Sequence, residues 1–173
     1  FTKKTDPTFY RTQKDYFSGL AMHGSVNDAK VQKYFGTSSY HSFNQKNYIR
    51  FLGDFGVINT KEEYNTRWAP GLSNRPLLFA MCAGKYWFAK QQAQAIKQMG
   101  FDSVAQFADV KVLKCRYTAP LGITYNQVFN SAEIKKMSNI QKDLAITKGC
   151  AIDDEDASDF SSFVRLNTAD TLG

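Results

Sequence analysis

Apolar residues recur at spacings of three and four along three stretches of the chain, a period that predicts helices. Tyr48, Phe51, Leu52 and Phe55 form one stripe, with Gly56 placed as a C-terminal cap. Leu78, Cys82, Tyr86, Ala89, Ala93 and Ile96 form a longer one. Asn74 stands as its cap, Pro76 in its first turn, and Lys97 and Gly100 at its end. Ile134, Met137, Ile140 and Leu144 form the third, opened by Ser131 and stopped at Gly149. Shorter helices are expected from Ser25 to Asp28 onward as far as Gly36, over Lys61 to Trp68, and from Ser103 through Ala108. In the last, Ser103 and Gln106 read as a capping box. Val110 to Tyr117 alternates, with Leu113, Cys115 and Tyr117 on one side, and fits an extended segment as well as a helix.

These elements predict a mainly α fold, with several helices joined by long irregular segments. Residues 1–24 read as an extended arm, 25–149 as a helical domain and 150–173 as an acidic C-terminal tail containing Asp153, Asp154, Glu155 and Asp156. The stretch Ala69 to Asn74 is the strongest internal break. At 173 residues the chain has room for one domain with its own core. It has no initiator Met at position 1, so it is expected to begin after processing or truncation.

Charge narrows the partner. With 22 Lys and Arg against 16 Asp and Glu, the net +6 favours nucleic acid, an anionic membrane surface or an acidic protein. The cations are scattered singly, which argues against a polybasic address. No run of 18 apolar residues predicts a membrane span. Phosphate-loop, dinucleotide, zinc-protease and serine-hydrolase motifs are all missing.

Three cysteines, Cys82, Cys115 and Cys150, accompany only two histidines. No CxxC pair supports a zinc site, and an odd count argues against a closed disulfide framework. Three readings remain: buried packing thiols, one reactive thiol, or several thiols that each carry a covalent group. A reactive Cys82 requires His23 or His41 as base, with Asn44 or Asp54 as orienter. Covalent attachment of a linear tetrapyrrole requires cations for its propionates and a carboxylate for its pyrrole N–H groups. Lys85 and Tyr86 follow Cys82; Lys114, Arg116 and Tyr117 surround Cys115; Asp153 and Asp154 follow Cys150. A third function, binding single-stranded nucleic acid, would use Tyr40, Tyr48 and Trp87 as a stacking platform.

The basic, Tyr- and Phe-rich chain with scattered single cysteines, and its stretch from Ser73 to Tyr86 (SNRPLLFAMCAGKY), resembles the chromophore-bearing γ-type linkers of red-algal phycoerythrin. The resemblance implies a non-enzymatic, light-harvesting phycobilisome linker. Phycoerythrobilin or phycourobilin would be attached at Cys82, Cys115 and Cys150. Its partners would be acidic phycobiliprotein hexamers and other linkers, with no nucleic acid, at the stromal face of the plastid thylakoid membrane.

Overall fold

A four-stranded sheet organises the first of two units seen in the computed structural model, which describes residues 1–18 and 26–171. This unit comprises Phe1–Phe43 and Arg67–Gly122. The chain enters through a single turn, α1 (Thr2–Thr5), and then β1 (Arg11–Lys14). After α2 (Asp28–Val31) come β2 (Ser39–Tyr40) and β3 (Trp68–Ala69), which pair antiparallel and stack Tyr40 on Trp68 at 4.1 Å. Next come α5 (Pro76–Met81), β4 (Gly84–Ala89), α6 (Ala93–Gln98), β5 (Phe101–Phe107) and β6 (Val110–Cys115). The sheet order is β1-β4-β6-β5; β1 runs parallel to β4 and the other pairs are antiparallel.

Alternation along these strands sends side chains to two faces. On one, the buried Trp87 and Phe101 meet Phe79 of α5, with ring centroids of Phe79 and Trp87 5.7 Å apart, and the buried Leu113 lies opposite Trp87 on β6. On the other, Tyr10 packs edge-on against Tyr86 at 4.9 Å, with Val112 buried beside them. Lys14 and Asp28 form an ion pair, each side chain only 7% exposed, which ties β1 to α2. Ser18 donates a hydrogen bond to Asp28 at 2.7 Å.

The second unit comprises Asn44–Thr66 and Ile123–Gly173. It contains α3 (Lys46–Asp54), α4 (Glu63–Arg67, as far as Thr66), β7 (Gln127–Asn130), α7 (Ser131–Lys136), α8 (Asn139–Lys148), β8 (Cys150–Ile152) and β9 (Val164–Leu166). β7 is the central strand, with β8 and β9 parallel to it on either side. Phe129 of β7 is fully buried and packs with Ile134, Met137 and Ala145.

The fold is therefore mixed, 35% helical and 23% strand, and the mainly α expectation is wrong. The error has local causes. The long helical stripe after Asn74 breaks once α5 ends: Ala83 takes φ +60° and Gly84 lies against Phe79. The aromatic run Tyr86, Trp87 and Phe88 then extends as β4, as aromatic residues prefer on a pleated surface. Ser103 and Gln106 sit in β5, so their capping-box pattern marks no helix. The helix expected from Ser131 to Gly149 is two, because Met137 is extended at ψ 151° and Ser138 caps a new start. The Tyr48–Phe55 stripe does form α3, with Leu52 fully buried and Gly56 at φ +66°.

Candidate functional site

The three cysteines occupy unrelated surroundings. Cys82 is the C-terminal cap of α5, and its carbonyl accepts a hydrogen bond from Arg11 at 3.3 Å. Cys115 ends β6, opposite Phe101, and is 7% exposed. Cys150 opens β8 in the other unit, opposite Val128. None of the three is in a disulfide. Among the described residues no group of three or more His, Cys, Asp and Glu side chains is arranged to hold a metal ion.

The neighbours expected to serve these thiols are engaged elsewhere. Lys85 and Tyr86 lie on β4, not one helical turn beyond Cys82. Both reach Asp6: the Lys85 ammonium at 2.5 Å and the Tyr86 hydroxyl, donating, at 2.9 Å. Burial, with the Asp6 hydrogen bond added, pushes the Tyr86 phenol up to about 12. Burial would also raise the Asp6 carboxyl, but hydrogen bonds from Lys85, Thr8 and Tyr86 hold it well below the carboxylate range. Arg116 forms a two-pronged pair with Asp102, at 2.8 and 2.6 Å. Lys114 lies exposed between Tyr86 and Asp102 on the neighbouring strands, and Tyr117 is 72% exposed. Asp153 accepts from Ser131 and pairs with Arg50 at 3.5 Å, while Asp154 accepts from Asn130.

Among the described residues, the contacts of Cys82 with Arg11 and of His41 with Phe43 build no reactive-thiol geometry. Cys82 closes α5 at its C-terminal end, and thiol pKa values are lowered at helix N-termini, so the helix dipole gives it no activation. His41 accepts a hydrogen bond from the Phe43 amide, and His23 lies outside the described residues. The stacking platform fails because Trp87 is 3% exposed in the core.

A feature that the cysteine reading overlooks lies in the distribution of charge. The first unit carries 14 Lys and Arg against 5 Asp, a formal +9; the second carries 8 against 11 acids, a formal −3. All five carboxylates of the first unit are engaged within it. Asp6 pairs with Lys85, Asp28 with Lys14, Asp102 with Arg116 and Asp109 with Lys90. Asp15 accepts from the backbone amides of Lys90, Gln91 and Gln92, fixing the turn into α6. Arg116 and Lys90 hold Asp102 and Asp109 below the ordinary carboxylate range, so these acids stay ionised and committed. The cation surplus therefore has no acid left inside its own unit. Lys4, Lys111 and Lys114 are among its exposed members. Sequence position alone hides this, because the two units interleave along the chain.

Comparison with known proteins supplies the setting. The family model described as bacterial membrane protein YfhO matches residues 1–171. A protein of Bacillus subtilis (strain 168), described as uncharacterized protein YfhO, is 25% identical over 134 residues. The match covers 77% of this chain and 15% of that protein, so the chain corresponds to a small part of its relative's length. No solved structure matches. No helix among the described residues is long and apolar enough to cross a membrane.

These findings overturn the phycobilisome reading throughout: the linker role, the bilins at Cys82, Cys115 and Cys150, the phycobiliprotein and linker partners, and the plastid thylakoid location. A basic, aromatic-rich composition is shared by unrelated chains, and it misled here. Neither the cysteine hydrolase nor the nucleic-acid reading gains support in its place. Matched over residues 1–171, the chain belongs to the YfhO family of bacterial membrane proteins.

Proposed function

We propose that this chain is a part of a YfhO-family membrane protein that lies outside the bilayer and rests on anionic lipid headgroups through its first unit. The role is binding, not catalysis. The observation that carries it is the +9 unit whose five carboxylates are all consumed internally. A surplus of that kind is attracted to a negative membrane surface, at about 1 kcal/mol per Lys or Arg close to it.

The test is cosedimentation with phosphatidylglycerol vesicles and with phosphatidylcholine vesicles. The protein is expected to bind the first and not the second. Raising salt from roughly 0.1 to roughly 1 M shortens the screening length from about 10 to about 3 Å and should release it. Equal binding to both lipids, or binding that ignores salt, would overturn the proposal.

A further inference from the structure

The second unit has a crevice that the lipid-contact role does not use. β7 leaves its carboxyl end into α7, the chain returns as β8 on one side, and β9 then pairs on the other. The carboxyl ends of three parallel strands therefore lie at one edge of the sheet, the edge outside which open α/β sheets bind ligands. A cavity of about 360 Å³ opens there, within the range of small-molecule sites. Val128 and Ile152, both buried, contribute to its wall. Asn130, Glu133, Arg165 and Asn167 supply its polar lining.

Two of these groups stand out. Glu133 of α7 has no hydrogen bond or ion pair among the described residues. Arg165 of β9 donates to the Ala157 carbonyl at 3.3 Å and meets no carboxylate among the described residues. Opposite charges therefore line one cavity without closing on each other. Asn130 is spent on Ala132 and Asp154, and the Asn167 carbonyl oxygen accepts from Ala169. The Asn167 backbone N–H donates to Asp170, and its side-chain NH2 has no partner among the described residues.

We propose that this crevice binds a small zwitterion, with Glu133 taking its ammonium group and Arg165 its carboxylate or phosphate. A carboxylate suits the guanidinium fork, and an ammonium suits an unpaired carboxylate. Two separated charges of opposite sign select for both groups at once and for the spacing between them. The ligand can be a free solute or the headgroup of a zwitterionic lipid, and the inference is independent of how the first unit behaves.

The experiment titrates the whole chain with ω-amino acids of increasing length, from glycine to δ-aminovalerate, and follows backbone amide NMR shifts around Glu133 and Arg165. Propionate and propylamine serve as single-charge controls. The expected result is a preference for one chain length, with each control at least tenfold weaker. Glu133→Gln and Arg165→Gln, both on exposed side chains, should each remove that preference while leaving the rest of the spectrum unchanged. Phosphoethanolamine and phosphatidylethanolamine vesicles then separate the sources: shifts with both assign a headgroup, and shifts with the dissolved compound alone assign a solute. Absence of shifts with every zwitterion, or an equal response to propionate, would overturn the proposal.

Discussion

Two buried or partly buried carboxylates do much of the local work in the first unit, and each makes a distinct prediction. Asp6 anchors the N-terminal segment to β4 through Lys85 and Tyr86. Hydrogen bonds to a charged group contribute about 1.5–3 kcal/mol, so Asp6→Asn should lower the urea midpoint accordingly. Because the folded carboxyl is held well below its unfolded value, its contribution is full above that value. It is lost progressively as pH falls from the unfolded value to the depressed folded value, so the gap between wild type and Asp6→Asn should persist through mildly acid conditions and close in strong acid. Asp28 behaves differently because its partner is buried with it. Asp28→Ala strands the Lys14 ammonium and should cost about 3–5 kcal/mol, whereas Lys14→Met with Asp28→Leu should recover most of the loss. Chemical denaturation of the single and double variants decides this. None of these pairings was legible in the sequence, since Asp6 and Lys85 meet only once β1 docks beside β4. The cysteines that drew the eye sit on separate elements and share no surroundings.

At the scale of elements, legibility followed locality. The α3 stripe is a local pattern with its own cap, and it reads correctly from Tyr48 to Gly56. The alternation over β6 leaves strand and helix both open, and the structure settles it as a strand. β4 was hidden by alanine- and glutamine-rich neighbours whose helical spacing carries through a strand. β7, β8 and β9 are three or four residues each, and their parallel partners lie far along the chain, so no window contains their signal. The break between α7 and α8 was readable: Ser138 and Gln141 form a reciprocal capping box. Ser138→Ala should therefore destabilise the second unit by about 1 kcal/mol. Gly84→Ala should cost more, about 1–3 kcal/mol, because the added carbon would lie 2.3 Å from a ring atom of Phe79. Thermal or urea unfolding of both variants checks these values. A Gly84→Ala protein as stable as wild type would mean that α5 and β4 do not approach as described.

For the whole molecule, the consequential fact is the sorting of charge into a +9 unit and a −3 unit that the interleaved chain conceals. Net charge was legible from composition, and an anionic membrane surface stood among its expected partners. Which residues share a unit was not. The most direct measurement compares two triple variants with the same change in net charge, by cosedimentation with phosphatidylglycerol vesicles. One carries Lys4→Gln, Lys111→Gln and Lys114→Gln in the first unit; the other carries Lys46→Gln, Lys61→Gln and Lys135→Gln in the second. At about 1 kcal/mol per lysine, the first-unit variant should bind roughly a hundredfold more weakly, and the second-unit variant should stay near wild type. Equal losses from both would show that only total charge matters and would contradict a membrane contact made by the first unit.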